Sequence, residues 1–120
     1  MARIMIADDS DSVRLVLQDI LSIGEFELAG EARDGKEAVE KFSAIKPDLL
    51  LLDLAMPKKD GLTVIKEIMA SHPDAKIVVI TATDDPKLIN KCLQEGARYC
   101  ISKPFDFDKV LAIIKSALKD

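Results

Sequence analysis

The sequence predicts a doubly wound α/β domain, in which helices cover both faces of a five-stranded parallel sheet. Three observations support this prediction. Short apolar stretches alternate along the chain with segments of helical periodicity. Two of the stretches, LLLL at 49–52 and IVVI at 77–80, are apolar at every position, which is typical of strands buried on both faces. No repeat or linker divides the 120 residues, a length that suits one domain.

Five strands are predicted in chain order, each followed by a helical segment. Their letters and positions are RIMIA (3–7), ELAGEA (27–32), LLLL (49–52), IVVI (77–80) and YCIS (99–102). When a helix connects two neighbouring strands of one sheet, the strands lie parallel and the crossover is right-handed. The alternation therefore predicts a parallel sheet between two layers of helices.

Five helices are predicted from apolar residues at positions i, i+3, i+4 and i+7, a spacing that places them on one helix face. The expected buried faces comprise Val13, Val16, Leu17, Ile20 and Leu21 in the first helix, Ala38, Val39 and Phe42 in the second, Leu62, Ile65, Ile68 and Met69 in the third, Leu88, Cys92 and Leu93 in the fourth, and Val110, Leu111, Ile114, Ala117 and Leu118 in the fifth. Boundary residues agree: Gly24 and Gly96 follow the first and fourth helices, Pro86 begins the fourth, and Gly61 opens the third.

The composition argues against several classes of partner. Lysine and arginine are dispersed along a chain of formal net charge −4, so no nucleic-acid groove is expected. No apolar stretch is long enough for a signal peptide or a membrane span, so we expect a cytoplasmic protein without membrane contact. Cys92 and Cys100 are too few for a disulfide framework or a metal site, and we expect both to be reduced core residues.

Polar residues follow four of the five predicted strands. Strand one ends at Asp8 and Asp9, strand three at Asp53, strand four at Thr81 and strand five at Lys103. In an open α/β sheet, ligands bind beyond the carboxyl ends of the strands, which we call the carboxyl edge. Three carboxylates, a hydroxyl and an ammonium are therefore expected to share one edge of this sheet.

Each of these residues also has an ordinary structural explanation. Asp8 or Asp9 could cap the following helix, contributing about 0.3–1 kcal/mol through the helix dipole. Asp53 could be a solubilising residue at a strand end, and Lys103 a solvated charge. The combination is what indicates a site, because two carboxylates about 4 Å apart repel by roughly 4 kcal/mol at an effective dielectric constant of 20. Three of them at one edge require a cation at neutral pH.

An all-oxygen set of ligands is typical of a hard ion, and Mg²⁺, with Mn²⁺ as an alternative, suits a few carboxylates beside phosphate oxygens. Lys103 adds a second positive charge, and Thr81 adds a hydroxyl donor. Together these groups suit a phosphoryl group that is transferred onto a carboxylate. Asp53, which ends the predicted central strand between the other groups, is the expected nucleophile.

With these residues at these positions, the whole chain resembles the receiver domains of two-component response regulators, which have the chemotaxis CheY-like fold. The resemblance is carried by ADDS after strand one, LLLLDLAMPKKDG around strand three, ITA at the end of strand four and SKPF after strand five. It implies the strand order 2-1-3-4-5. Because the chain starts at Met1 and its last helix ends at Asp120, we expect a stand-alone, monomeric receiver over residues 1–120.

The resemblance also assigns roles to the acidic residues. It implies that Asp53 accepts a phosphoryl group from a phosphohistidine on a sensor histidine kinase or a phosphotransfer protein. Asp9 would bind Mg²⁺ directly, Asp8 would bind it through water, and the backbone carbonyl of Ala55 would complete the protein ligands.

Further implied roles concern the phosphoryl group and the switch. Thr81 would donate a hydrogen bond to the phosphoryl oxygen, Lys103 would pair with it, and the Lys103–Pro104 peptide bond is expected to be cis. Receivers usually carry an aromatic residue three positions before this lysine, where this chain has Cys100. Tyr99 lies one residue earlier and is expected on the opposite face of the strand. Either Cys100 is a smaller substitute, or the coupling uses Thr81 and backbone shifts alone.

The resemblance places the surface for a downstream protein on helix four, strand five and helix five. The candidate exposed residues there are Lys87, Asn90, Lys91, Gln94, Arg98 and Tyr99. This mildly basic surface on an acidic protein would suit an acidic partner.

Two other functions compete with the receiver interpretation. A Mg²⁺-dependent phosphatase with an aspartyl nucleophile generally has a second acid two residues after it, where this chain has Ala55. A receiver-like binding module that is never phosphorylated usually lacks an acid or the lysine, and this chain retains them. We therefore expect a signalling domain rather than an enzyme, with at most self-phosphorylation and slow autodephosphorylation. Because neither Ala55 nor Thr83 brings a carboxylate or amide that could orient an attacking water, a longer-lived acyl phosphate is expected than in relatives with such groups there.

Overall fold

The computed structural model describes residues 1–119 and has the predicted alternation of strands and helices. The strands are β1 (Arg3–Ala7), β2 (Glu27–Ala32), β3 (Leu49–Asp53), β4 (Ile77–Thr81) and β5 (Tyr99–Ser102). The helices are α1 (Asp11–Ile23), α2 (Gly35–Ile45), α3 (Gly61–Ser71), α4 (Pro86–Gln94) and α5 (Phe107–Lys119). The predicted α/β class is confirmed, and each predicted strand agrees with an observed one to within a residue.

The five strands form one parallel sheet in the order β2-β1-β3-β4-β5, as expected. The order reverses beside β1, because the chain first moves outward to β2 and then returns to place β3 on the other side of β1. Ala7 is paired with Leu52. The next residue of each strand, Asp8 and Asp53, therefore reaches the carboxyl edge where the order reverses, which is the usual ligand crevice of such sheets.

Two apolar clusters, one on each face of the sheet, hold the helices in place. Alternate residues of β3 point into different clusters: Leu50 and Leu52 into one, Leu49 and Leu51 into the other. The first cluster includes the helix residues Ala38, Phe42, Val64, Ile65, Ile68 and Cys92. The second includes Leu17, Ile20, Leu21, Val110, Ile114 and Ala117. Helices α2, α3 and α4 thus cover one face, and α1 and α5 cover the other, so the sheet is doubly wound.

Some residues of the predicted buried faces are not buried. Val16 is 39% exposed, because α1 buries a narrower stripe and Val16 borders an open groove beside Pro104 and Phe105. Leu93 is also exposed, since α4 buries only Cys92 fully. Cys92 is a free core thiol as predicted, whereas Cys100 is free but only partly buried. Burial raises the pKa of both thiols, which keeps them protonated at neutral pH.

Neither Asp8 nor Asp9 is the N-cap residue of α1. The N-cap residue is Ser10, whose Oγ accepts a hydrogen bond of 3.2 Å from the backbone N–H of Val13. Because Ser10 already satisfies the helix end, capping does not explain the two acids that precede it.

The loop between β3 and α3, residues 54–60, is tied to the start of α2. The backbone N–H of Gly35 donates to the carbonyl of Pro57 at 3.2 Å, and a Cβ at Gly35 would lie 2.0 Å from the carbonyl oxygen of Lys59. Only glycine permits this close approach. Lys58 forms an ion pair with Asp34 at 3.4 Å, and Lys59 forms one with Glu67 at 2.8 Å. The contacts hold the segment that carries Ala55 beside the carboxyl edge.

Candidate functional site

Three carboxylates converge at the carboxyl edge. One oxygen of each of Asp8, Asp9 and Asp53 lies within 4.8 Å of the other two. Asp8 is 1% exposed and Asp53 is 5% exposed, whereas Asp9 is open to solvent. Like charges this close and this poorly solvated repel strongly, so the cluster is costly without positive charge nearby.

Asp8 is held by hydrogen bonds on both its backbone and its side chain. Its N–H donates to the carbonyl of Ala32 at 3.0 Å, which extends the pairing of β1 with β2 by one residue. Its Oδ1 accepts from the N–H of Ser10 at 2.9 Å, and its Oδ2 accepts from Nζ of Lys103 at 3.3 Å. The orientation of this carboxylate is therefore set before any ligand binds.

Asp53 shares the same ammonium group. Nζ of Lys103 lies 3.6 Å from Oδ1 of Asp53, and the N–H of Ala55 donates to that oxygen at 3.3 Å. One ammonium thus partners two buried carboxylates and leaves an excess of negative charge.

The pKa of Asp53 reflects this excess. Burial raises it above the ordinary value of 3.8, the charge of Asp8 raises it further, and the ammonium of Lys103 opposes both only in part. A divalent cation would supply the missing charge, and carboxylate oxygens are the ligands that Mg²⁺ prefers. The donor set therefore fits a hard divalent cation.

The raised pKa predicts how the stability of the metal-free protein depends on pH. The folded state binds the Asp53 proton more tightly than the unfolded state, so stability falls as pH rises from the ordinary pKa of 3.8 through the raised value. We expect Asp53→Asn to melt on the order of 4 °C above wild type at neutral pH in EDTA, which is about 1 kcal/mol in a domain of this size. Thermal melts followed by circular dichroism test this.

The difference should shrink as the pH is lowered toward the ordinary carboxyl pKa, and on addition of Mg²⁺ to the wild type. A variant that melts below the wild type at neutral pH in EDTA would contradict the electrostatic explanation, because the lost contacts of Asp53 would then outweigh the relieved repulsion.

Thr81 lies on the other side of Asp53 and is buried. Its Oγ1 accepts a hydrogen bond of 3.1 Å from the N–H of Thr83, and its own hydroxyl proton can turn toward the edge. A cavity of about 430 Å³ opens here, and its lining includes Asp9, Asp53, Thr81 and Lys103. A small anion in this cavity would therefore meet the carboxylate, the hydroxyl and the ammonium together.

The two residues considered for the switch lie on opposite faces of β5, as the strand period predicts. Cys100 packs against the cluster that contains Cys92, and Tyr99 packs against the cluster formed with α1 and α5. The Lys103–Pro104 peptide bond is cis, which confirms that expectation.

The predicted partner surface is less basic than its sequence indicated. Lys87, Asn90, Lys91 and Gln94 are exposed on α4, as expected. Lys91, however, forms an ion pair of 3.3 Å with Glu95 one helical turn away, a residue that the sequence-based set of candidates did not include. Arg98 and Tyr99 are partly buried rather than exposed. Arg98 directly precedes β5, and Tyr99, the first residue of β5, packs against the apolar cluster formed with α1 and α5.

One buried residue near the site was not anticipated from the sequence. The guanidinium of Arg14 on α1 contacts the backbone of Asp8. An arginine on a helix ordinarily suggests a solvated charge, and its i,i+3 spacing from Asp11 is the only local signal of a partner.

Within the described residues 1–119, the helices are too short or too polar to span a bilayer.

Comparison with known proteins gives a consistent result. Residues 4–115 match the family described as the response regulator receiver domain. The chain is 38% identical over 117 residues to the chemotaxis protein CheY of Thermotoga maritima, covering 98% of each chain. It is 39% identical over 116 residues to the chemotaxis protein CheY of Bacillus subtilis, covering 97% of each.

A solved structure is similar over almost the whole fold. The crystal structure of a CheX–CheY complex with BeF3 and Mg²⁺ from Borrelia burgdorferi superimposes with a TM-score of 0.93. The sequence identity is 35%, and the match covers 96% of this chain and 87% of that one.

Proposed function

The chain belongs to the response regulator receiver family, and on this premise we propose that Asp53 accepts a phosphoryl group from the phosphohistidine of a partner protein. The observation that carries the proposal is the buried carboxylate of Asp53 beside two further acids and the ammonium of Lys103. The partner would be a sensor histidine kinase or a phosphotransfer protein.

In the proposed transfer, a carboxylate oxygen of Asp53 attacks the phosphorus atom. The new O–P bond forms as the P–N bond to the histidine breaks, and the electron pair of that bond returns to the imidazole nitrogen. The products are an acyl phosphate on Asp53 and an imidazole whose leaving nitrogen takes one proton from solvent to become neutral. Asp53 must be ionised to attack, but burial and the charge of Asp8 raise its pKa. Neighbouring positive charge, such as that of Lys103, favours the ionised form and so favours the attack.

The residues that would hold a cation are Asp8, Asp9 and Asp53, with the backbone carbonyl of Ala55. Mg²⁺ is the proposed ion and Mn²⁺ the alternative, because every donor is an oxygen. When bound, the ion would offset negative charge on the transferring group and on the carboxylates. Mg²⁺ and BeF3 in the CheY complex from Borrelia burgdorferi support this assignment by similarity.

Lys103 and Thr81 are the proposed partners of the phosphoryl oxygens. Lys103 would exchange part of its pairing with Asp8 and Asp53 for the new group, while the Thr81 hydroxyl would donate to it. Because Thr81 pairs with Ser102 in the sheet, its movement would reach β5 and the residues Cys100 and Tyr99.

We further propose that the phosphorylated chain signals by binding a protein through α4, β5 and α5, with Lys91 among the contacting residues. Release of Lys91 from Glu95 would be part of that contact. Phosphoryl chemistry beyond self-phosphorylation and slow autodephosphorylation is not proposed, because Ala55 supplies no acid where an aspartyl-nucleophile phosphatase has its general acid.

Incubation with a small phosphodonor such as acetyl phosphate tests the phosphoacceptor proposal directly. Intact mass measurement is expected to show one added phosphoryl group in the presence of Mg²⁺ and little or none in EDTA. Labelling that is equally fast in EDTA, or no labelling at any Mg²⁺ concentration, would overturn the proposal.

The acyl phosphate is predicted to last longer in the wild type than in Ala55→Asn. Ala55 is exposed at the edge of the site, where an amide could orient a water molecule toward the phosphorus atom. A positioned general base contributes about 10²–10⁴-fold. An amide can orient the water but cannot take its proton, so only a several-fold shorter lifetime is expected in the variant. Loss of the phosphorylated mass with time after removal of the phosphodonor gives both lifetimes.

Ala55→Leu is the matched control, because leucine has nearly the shape of asparagine but cannot hydrogen-bond to water. Its lifetime should stay close to or above that of the wild type. A wild-type acyl phosphate that decays faster than that of Ala55→Asn would contradict the prediction.

A further inference from the structure

We propose that Arg14 is a positioning residue that holds the Asp8–Asp9 segment in the geometry required for cation binding. The inference rests on the proposed function, since it concerns the same carboxylates. It adds a residue outside the carboxyl edge whose action on the site passes through the backbone rather than through contact with the ion.

Arg14 has the burial and the contact that such a role requires. Its side chain is only 7% exposed, and its Nη1 donates a hydrogen bond of 2.7 Å to the backbone carbonyl of Asp8. That carbonyl belongs to the peptide group between Asp8 and Asp9. The orientation of this one peptide group determines how the two carboxylates are presented relative to each other.

The guanidinium is itself fixed by one partner on β2 and one on its own helix, α1. Its Nε donates to Oε1 of Glu31 on β2 at 3.2 Å, and its Nη2 is paired with Asp11 on the first turn of α1. Gln18 donates to the same Glu31 oxygen at 2.7 Å. A planar group with donors in several fixed directions can join β1, β2 and α1 in this way, which a lysine ammonium cannot reproduce.

Asp8 is consequently restrained at every polar atom of its backbone. Ala32 accepts its N–H, and Arg14 donates to its carbonyl. Outer partners that orient the ligands of a metal typically change its affinity by about 10–100-fold when they are removed. Arg14 would be such an outer partner of Asp8 and Asp9, because it holds the peptide group between them rather than their carboxylates.

Electrostatics and positioning predict opposite signs for the loss of Arg14. Removing the positive charge that contacts the backbone of Asp8 would by itself strengthen cation binding. Loss of the hydrogen bond to Asp8 would weaken it, because the peptide group could rotate. Asp11 and Glu31 already offset much of the guanidinium charge, so the positioning effect is expected to dominate.

The test is a calorimetric titration of the full chain with MgCl₂ well below its melting temperature. Arg14→Met is expected to bind Mg²⁺ about tenfold more weakly than the wild type with the same stoichiometry, which reports the folded fraction. Gln18→Met is the matched control, because it removes a contact to Glu31 without touching Asp8, and it should bind like the wild type. Arg14→Lys, which keeps the charge and is the conservative variant, should also bind more weakly.

Equal or tighter Mg²⁺ binding by Arg14→Met would overturn the inference. If that variant does not fold, equal binding by Arg14→Lys would overturn it instead. Weakening by Gln18→Met as large as that by Arg14→Met would also overturn it, since the effect would then come through Glu31. If the wild type binds no Mg²⁺, the proposed cation site itself is overturned. If the wild type binds Mg²⁺ and the Arg14 variants bind it equally well, only the role of Arg14 is overturned.

Discussion

Asp53→Asn is expected to abolish phosphorylation by a small phosphodonor while the domain stays folded. The amide lacks the nucleophilic carboxylate oxygen, and no other acid lies at the same position between Thr81 and Lys103 in the described cavity. The expected loss is complete within the detection limit of intact mass measurement. Because the variant also loses a repelled charge, its melting temperature in EDTA should not fall below that of the wild type.

Asp74→Asn is the matched control for this substitution. Asp74 is exposed and precedes β4, at the end of the sheet away from the carboxyl edge. Asp74→Asn changes charge and mass by the same amount as Asp53→Asn. Because it leaves the carboxyl edge intact, this variant should be phosphorylated at the wild-type rate. Phosphorylation of Asp53→Asn at a rate comparable to that of the control would contradict the assignment of Asp53, and fragmentation would then identify the residue that carries the label.

The fold was predictable because buried strands leave a strong signature in this sequence. Residues 49–52 and 77–80 are apolar without interruption, and the corresponding strands are buried at every position. The errors fall where a helix lies at the margin of the core. Val16 and Leu93 have the helical spacing of buried residues, but spacing does not determine how wide a stripe the neighbouring sheet covers.

The proximity of the acids was predictable from topology alone. Asp8 and Asp53 each follow directly after a strand residue, and those residues, Ala7 and Leu52, pair in the parallel sheet. Parallel register therefore brings the two carboxylates side by side although they are far apart in sequence. Nothing beyond the strand ends and the strand order was required.

The contacts that support these acids were not predictable in the same way. Arg14 reaches Glu31 only because α1 packs against β2, and no local pattern connects these two residues. The pairing of Lys58 with Asp34 likewise depends on how closely Gly35 lets the loop approach α2. Such contacts are determined by packing between elements, whereas the residues at strand ends are determined by the elements themselves.

Asp9→Asn is expected to weaken Mg²⁺ binding at least tenfold without reducing the stability of the metal-free protein. Asp9 is the exposed member of the acid cluster, so the fold does not depend on its burial. Even outer partners of metal ligands commonly contribute about 10–100-fold to affinity, and a carboxylate of the cluster should contribute no less. The charge of Asp9 also raises the pKa of Asp53, so its removal relieves repulsion in the absence of metal.

Calorimetry with MgCl₂ measures the affinity, and the Mg²⁺ dependence of phosphorylation measures its consequence. Asp84→Asn, which removes another exposed charge from the loop after β4, is the control and should leave both unchanged. Because Asp9→Asn keeps the nucleophile, saturating Mg²⁺ should restore much of its phosphorylation, whereas Asp53→Asn should remain unlabelled at any concentration. Wild-type Mg²⁺ dependence in Asp9→Asn would contradict its role as a ligand, and the contrast between the two variants separates cation binding from phosphoryl acceptance.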